Sequence, residues 1–151
     1  PKMVKHLGKA ACFECHDDFL EKAMVKHAPA ESGECLSCHA PHGAANKFLL
    51  VKPGKSLCFE CHDDFLEKAK FQHTAASECS SCHSAHKSDE KGLLVKSRGQ
   101  LCLECHEVKE LSAKGHAQMG NTACLQCHDP HVGRDKFLLT TAAAPGASAK
   151  P

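Results

Sequence analysis

The sequence predicts a mostly irregular fold with short α-helices, assembled from a repeated cysteine motif rather than around a conventional side-chain core. Three observations predict it. Twelve cysteines occur among 151 residues, with no tryptophan or tyrosine and seven phenylalanines as the only aromatic residues. The pentapeptide C-x-x-C-H occurs six times and uses every cysteine. Period-two alternation is nowhere sustained over a strand length, so no sheet of consequence is expected. A chain this short buries a modest share of its surface, and without large aromatic side chains it needs staples, metals or cofactors.

The motifs are Cys12-Cys15-His16, Cys35-Cys38-His39, Cys58-Cys61-His62, Cys79-Cys82-His83, Cys102-Cys105-His106 and Cys124-Cys127-His128. Odd and even motifs have different surroundings, so the unit is a doublet, spanning about 12–57, 58–101 and 102–140. Odd motifs read CFECHDDFLEKA twice and then CLECHEVKELSA; even motifs read CLSCHAPHG, CSSCHSAHK and CLQCHDPHV. Each doublet ends in a similar phrase: Lys47-Phe48-Leu49-Leu50, Lys91-Gly92-Leu93-Leu94 and Lys136-Phe137-Leu138-Leu139. Residues 1–140 are expected to form one domain. The remainder, 141–151, is rich in Ala, Pro, Gly and Ser and reads as a flexible tail.

The odd motifs are expected to run on into helix. Phe19, Leu20, Ala23 and Met24 make one apolar stripe, with Glu21, Lys22 and Lys26 off it. Phe65, Leu66, Ala69 and Lys70 repeat it with a lysine in the last place. The even motifs sit among Pro41, Gly43, Pro130 and Gly133, which predicts turns or very short helices.

C-x-x-C-H is the attachment signature of c-type haem. The two sulfurs add across the vinyl groups of one haem, and the adjacent histidine reaches the iron. Zinc knuckles need no histidine directly after each second cysteine, and a thioredoxin-type pair occurs once, in a βαβ setting. Six motifs therefore predict six haems in 151 residues, in a crowded row. The porphyrins then supply the large flat apolar surfaces that the side chains lack. The fold class becomes three C-x-x-C-H doublets around a row of haems.

The sixth iron position decides between a closed electron-transfer site and an open, reactive one. Seven histidines lie outside the motifs: His6, His27, His42, His73, His86, His116 and His131. His27, His73 and His116 precede the even motifs by 8, 6 and 8 residues. His42, His86 and His131 follow them by three, giving C-x-x-C-H-x-x-H each time. Met3, Met24 and Met119 do not recur in the repeat, so histidine is the general distal ligand. His27, His73 and His116 are expected to cap the even haems, and His42, His86 and His131 the odd ones. In one register these cap the odd haem of their own doublet and His6 is spare. In the other, His42 and His86 serve the following doublet, His6 serves the first haem and His131 is left over. One of His6 and His131 is then spare or bridges to a neighbouring chain.

The formal charge is +1 with histidines neutral, which argues against a nucleic-acid binder. Each ferric haem with two ionised propionates adds roughly −1 and each ferrous one roughly −2, so the charge becomes about −5 oxidised and about −11 reduced. Lys47, Lys52, Lys55, Lys91 and Lys96 suit that accumulation, or simply solubilise the surface. No apolar run approaches the roughly 20 residues that span a bilayer, and no secretory signal is visible behind Pro1-Lys2-Met3. An exported chain is expected in its mature form.

The doublets, with C-x-x-C-H-x-x-H in every second motif, resemble the doubled C-x-x-C-H family of multihaem cytochromes, over roughly residues 12–139. That family is common in bacteria and archaea that respire metals or sulfur compounds. Similar haem packing occurs in small periplasmic cytochromes and in extracellular cytochrome filaments. The resemblance implies export to the periplasm or beyond, low-potential bis-histidine haems, and electron transfer with redox partner proteins or extracellular acceptors. It leaves two further readings: a homopolymeric wire stacked haem to haem, and a multihaem reductase. The reductase needs an open iron and often a variant motif, whereas all six motifs here are standard.

Overall fold

Each C-x-x-C-H motif begins as a helical turn, which is the local requirement for its chemistry. In the computed structural model, which describes residues 8–107, 109 and 124–140, Cys15 N–H donates to Cys12 O at 3.2 Å and His16 N–H to the same oxygen at 3.0 Å. Cys35, Cys102 and Cys124 carbonyls accept the equivalent pair. Residues three and four apart on such a turn share a face, so both sulfurs and the imidazole project together.

The odd motifs sit at the ends of short helices: α1 (Lys9–Phe13), α3 (Lys55–Cys58) and α5 (Arg98–Leu103). The even motifs form 3-10 turns at Cys35–Ser37 and Cys124–Gln126, as the neighbouring Pro and Gly predict, and the single turn α4 (Cys79–Cys82), which has no Pro or Gly beside it. Another helix, α2 (Ala28–Ser32), starts with Pro29 in its first turn and ends on Gly33 at φ 84°, a left-handed cap that glycine adopts without penalty.

The expected helical extension does not form at the first two odd motifs; beyond the third it falls largely outside the described residues. α1 ends at Phe13, and residues 19–22 make tight turns instead. The aspartate after the motif decides this. Asp18 Oδ1 accepts Leu20 N–H at 3.0 Å, and Asp64 Oδ1 accepts both Leu66 and Glu67 N–H at 3.0 Å. Such side-chain acceptors offer the backbone an alternative to helix. The turn aims Leu20 and Leu66 inward, and among the described residues these are the only two buried side chains. Met24, assigned to the same apolar stripe, is 80% exposed.

The turns lead into two-residue strands. β1 (Val25–Lys26) pairs antiparallel with β3 (Lys87–Ser88), and β2 (Phe71–Gln72) with β4 (Val132–Gly133). These ladders are as small as the sequence implied, yet each joins one doublet to the next. The described chain accordingly divides into two units. The first contains the described residues up to Cys61 with Ser80–Lys96, and holds β1 and β3; the second contains His62–Cys79 with the described residues from Ser97 on, and holds β2 and β4. The chain thus enters each unit twice, because ladder partners lie about sixty residues apart in sequence.

In β4, a Cβ on Gly133 would stand 2.2 Å from Leu138 Cα, so this backbone approach admits only glycine. Among the described residues no helix is long and apolar enough to cross a membrane.

Candidate haem sites

The phrase that closes each doublet acts on the even motif before it. Ala40 N–H donates to Leu49 O and Val51 N–H to Cys38 O. Ser84 with Leu93 and Val95 with Cys82 repeat this, as do Asp129 with Leu138 and Thr140 with Cys127. Between these bonds the chain reverses through left-handed residues: Phe48 and Leu49 at φ 58° and 56°, Gly92 and Leu93 at 75° and 56°, and Leu138 at 58°. A left-handed non-glycine residue costs about 1–2 kcal/mol and is kept where its surroundings enforce it. Here the reversal aims one carbonyl at the motif histidine. His39 Nδ1 donates to Phe48 O at 2.9 Å, His83 Nδ1 to Gly92 O at 2.8 Å and His128 Nδ1 to Phe137 O at 2.7 Å. A carbonyl only accepts, so each ring holds its proton on Nδ1 and its lone pair on Nε2. A bond of this kind at the far ring nitrogen orients metal-bound imidazoles. In the sequence the phrase is visible as a repeat mark but this role is not; the one signal for it is the recurring nine-residue offset from histidine to acceptor.

The histidines outside the motifs are placed by the ladders. His27, at the end of β1, donates its N–H to His86 O at 2.9 Å and its Nδ1 to Ala85 O at 2.9 Å. His73, at the end of β2, donates its N–H to His131 O at 2.8 Å. Phenylalanine backs the partner histidine in each unit: Phe19 stands 5.2 Å from His86 and Phe65 5.1 Å from His131, both tilted 57°.

Two ring pairs follow. His39 and His86 lie 5.8 Å apart between ring centroids and within 18° of parallel. His73 and His106 lie 6.0 Å apart at 28°. His86 faces the histidine of an even motif, and His73 that of an odd one. Each pair also joins consecutive doublets, because β1 and β2 each bind the C-x-x-C-H-x-x-H segment of the doublet that follows. Partial desolvation, and then the neighbouring His39 and His27 rings, lower the pKa of His86, favouring the neutral imidazole that binds metal. His42 is exposed. His6 and His116, with Met3 and Met119, lie outside the described residues, as does the tail from 141 to 151.

None of the twelve cysteines is in a disulfide. Thiols of successive motifs adjoin one another. Desolvation and then a hydrogen bond with Cys35 raise the Cys12 thiol pKa; desolvation and then the Cys61 and Cys35 thiols raise that of Cys38. Attachment points of consecutive motifs therefore come together in the first unit.

Comparison with known proteins agrees with this construction. The family model described as "Doubled CXXCH motif" matches three times, at residues 27–67, 73–111 and 116–148. The chain belongs to the doubled CXXCH family of multihaem cytochromes. The family frame begins at His27, His73 and His116, so it couples each even motif to the odd motif after it, and its third match contains the even motif alone. Membership establishes covalent c-type haem as the cofactor of these motifs. No curated protein matches the chain.

The residues fit that cofactor. Two sulfurs and an imidazole share one turn, the even-motif rings carry Nε2 lone pairs, and the polypeptide buries only Leu20 and Leu66 among its described residues. Such a chain needs large apolar groups to fold around.

Proposed function

We propose that this doubled CXXCH protein is an electron carrier holding six c-type haems, all with two histidine ligands, and that it works in periplasmic or extracellular respiration. The parallel ring pairs carry this reading. Two imidazoles that each bound one iron at about 2 Å would stand roughly 6 Å apart between ring centroids. The separations of 5.8 Å for His39 with His86 and 6.0 Å for His73 with His106 match that span. His86 then serves the iron of the Cys35–Cys38 motif, and His73 that of the Cys102–Cys105 motif.

When bound, each haem supplies a reversible one-electron couple. The protein's part is positional. Cysteine pairs tether the groups, and the carbonyls of Phe48, Gly92 and Phe137 hold the even-motif imidazoles in one tautomer. Adjacency of the Cys12 and Cys35 thiols favours close approach of consecutive groups, which fast electron hopping requires. Two histidines at each iron would leave no open coordination position, as a carrier rather than a reductase requires.

The test is intact mass of the purified holoprotein together with its absorption and paramagnetic resonance spectra. Six haem masses and wholly low-spin iron are expected. Fewer haems, or a native high-spin fraction that binds carbon monoxide, would overturn the reading.

A further inference from the structure

The two histidines that face each other in the first unit are held in different ways. His39 is fixed twice, by the turn of its own motif and by its Nδ1 bond to Phe48 O at 2.9 Å. His86 arrives from the next doublet beside a two-residue ladder. Its carbonyl accepts His27 N–H, but among the described residues neither of its ring nitrogens makes a hydrogen bond. The last torsion of a histidine side chain is broad, so the ladder fixes where the imidazole lies and leaves its plane open. Phenylalanine supplies that constraint. Phe19 stands against His86 at 5.2 Å and 57°, and Phe13 in turn meets Phe19 edge to face at 5.8 Å. The second unit repeats the contact, with Phe65 against His131 at 5.1 Å and again at 57°. One kind of turn presents both rings. Phe19 N–H donates to Asp17 O at 2.8 Å and Phe65 N–H to Asp63 O at 3.0 Å, and the next residues, Leu20 and Leu66, are buried. A ring presented from a packed anchor is held better than one on a free loop. Phe19 and Phe65 themselves stay 39% and 44% exposed, so filling a core is not their main use. The third odd motif carries Glu107-Val108-Lys109 where the first two carry Asp-Asp-Phe, which confines the device to the first two doublets.

We infer that Phe19 and Phe65 are positioning residues, each fixing the ring plane of a distal histidine supplied by the following doublet: Phe19 that of His86, at the iron held by Cys35, Cys38 and His39, and Phe65 that of His131. This rests on the bis-histidine reading above. The plane of an axial imidazole decides how its electrons overlap the iron orbitals, and so tunes the potential and the distribution of unpaired spin of low-spin iron. A ring free to swing would spread one haem over a range of potentials, whereas a ring walled by phenylalanine gives it one. The angle of 18° between His39 and His86 is the orientation that Phe19 holds. Phenylalanine suits the task. It offers a flat face in the tilted contact that aromatic pairs prefer, and it has no polar atom to compete for the imidazole nitrogens or the iron. Leucine fills part of the same space without a flat face, and tyrosine keeps the face.

The experiment compares holoprotein of the parent, Phe19→Leu, Phe19→Tyr and Phe65→Leu. Intact mass counts haems, optical spectra give spin state, and proton magnetic resonance of the oxidised protein gives the haem methyl shifts, which report the plane of each axial imidazole. Phe19→Leu should keep every haem and stay low spin, while the methyl shifts of one haem move and those of the others stay at their parent positions. Phe19→Tyr should restore the parent shifts. Phe65→Leu should move the methyls of a different haem, and the double leucine variant should show both changes, as independent sites do. In a His86→Ala background, Phe19→Leu should move nothing further. Methyl shifts unaltered by Phe19→Leu, or moved equally at several haems, would overturn the inference and leave the carrier reading intact, because the phenylalanine would then be ordinary packing. A Phe19→Leu change that persists undiminished in the His86→Ala background would do the same. A His86→Ala protein that stays wholly low spin instead strikes the ligand reading itself, and the inference with it.

Discussion

Replacing His86 with alanine removes the imidazole that stands 5.8 Å from His39 and leaves a side chain too short to reach a shared iron. The motif cysteines and His39 are untouched, and His39 keeps its Nδ1 bond to Phe48 O at 2.9 Å, so the haem should remain attached with one axial histidine. Five-coordinate iron becomes high spin and open to carbon monoxide. Because one site of six is changed, roughly one sixth of the low-spin signal should be lost and about one carbon monoxide should bind per chain. His73→Ala should do the same at the His106 site, and the double variant should lose roughly two sixths, since the two ring pairs share no residue and effects at independent sites add. The site is identified by a second cycle. In a variant lacking Cys35 and Cys38, His86→Ala should produce no further high-spin iron. If His86→Ala stays wholly low spin, or if its high-spin iron survives loss of the Cys35–Cys38 haem, the ring pair is a simple stacking contact and the ligand assignment fails.

Removing both cysteines of any one motif should lower the intact holoprotein mass by one haem and leave the other five attached, read by mass spectrometry under denaturing conditions. Gly133→Ala forces its Cβ to within 2.2 Å of Leu138 Cα; a strained insertion of this kind costs about 1–3 kcal/mol, measurable as a lower denaturation midpoint of the holoprotein. Asp64→Ala deletes the acceptor for Leu66 and Glu67 N–H and should cost about 1 kcal/mol in the same assay, the typical loss of a side-chain cap.

What could be read from the sequence is what lies within one helical turn. The tether Cys12-Cys15-His16 and its five copies need only i, i+3 and i+4 neighbours, so the cofactor and the candidate proximal ligands follow from spacing alone, and the doubled repeat follows from comparing their flanks. The short turns at the even motifs were equally legible, since Pro41, Gly43, Pro130 and Gly133 act locally. The apolar stripe at Phe19 and Leu20 misled because hydrophobic period was weighed without Asp18, whose carboxylate captures the Leu20 amide and turns the chain away from helix.

The meeting of histidines belongs to the tertiary structure. His86 reaches His39 because Lys87 and Ser88 pair with strand residues about sixty positions earlier, and a two-residue ladder leaves no periodicity to detect. The Lys-x-Leu-Leu phrase is visible as a repeat, but its purpose depends on left-handed backbone at Leu49, Leu93 and Leu138, which leucine's intrinsic preferences oppose and only surrounding bonds enforce. Covalent chemistry is written in adjacent residues and could be read directly. The meeting of histidine rings across doublets depends on which backbone edges the folded chain brings together, and that the structure alone decided.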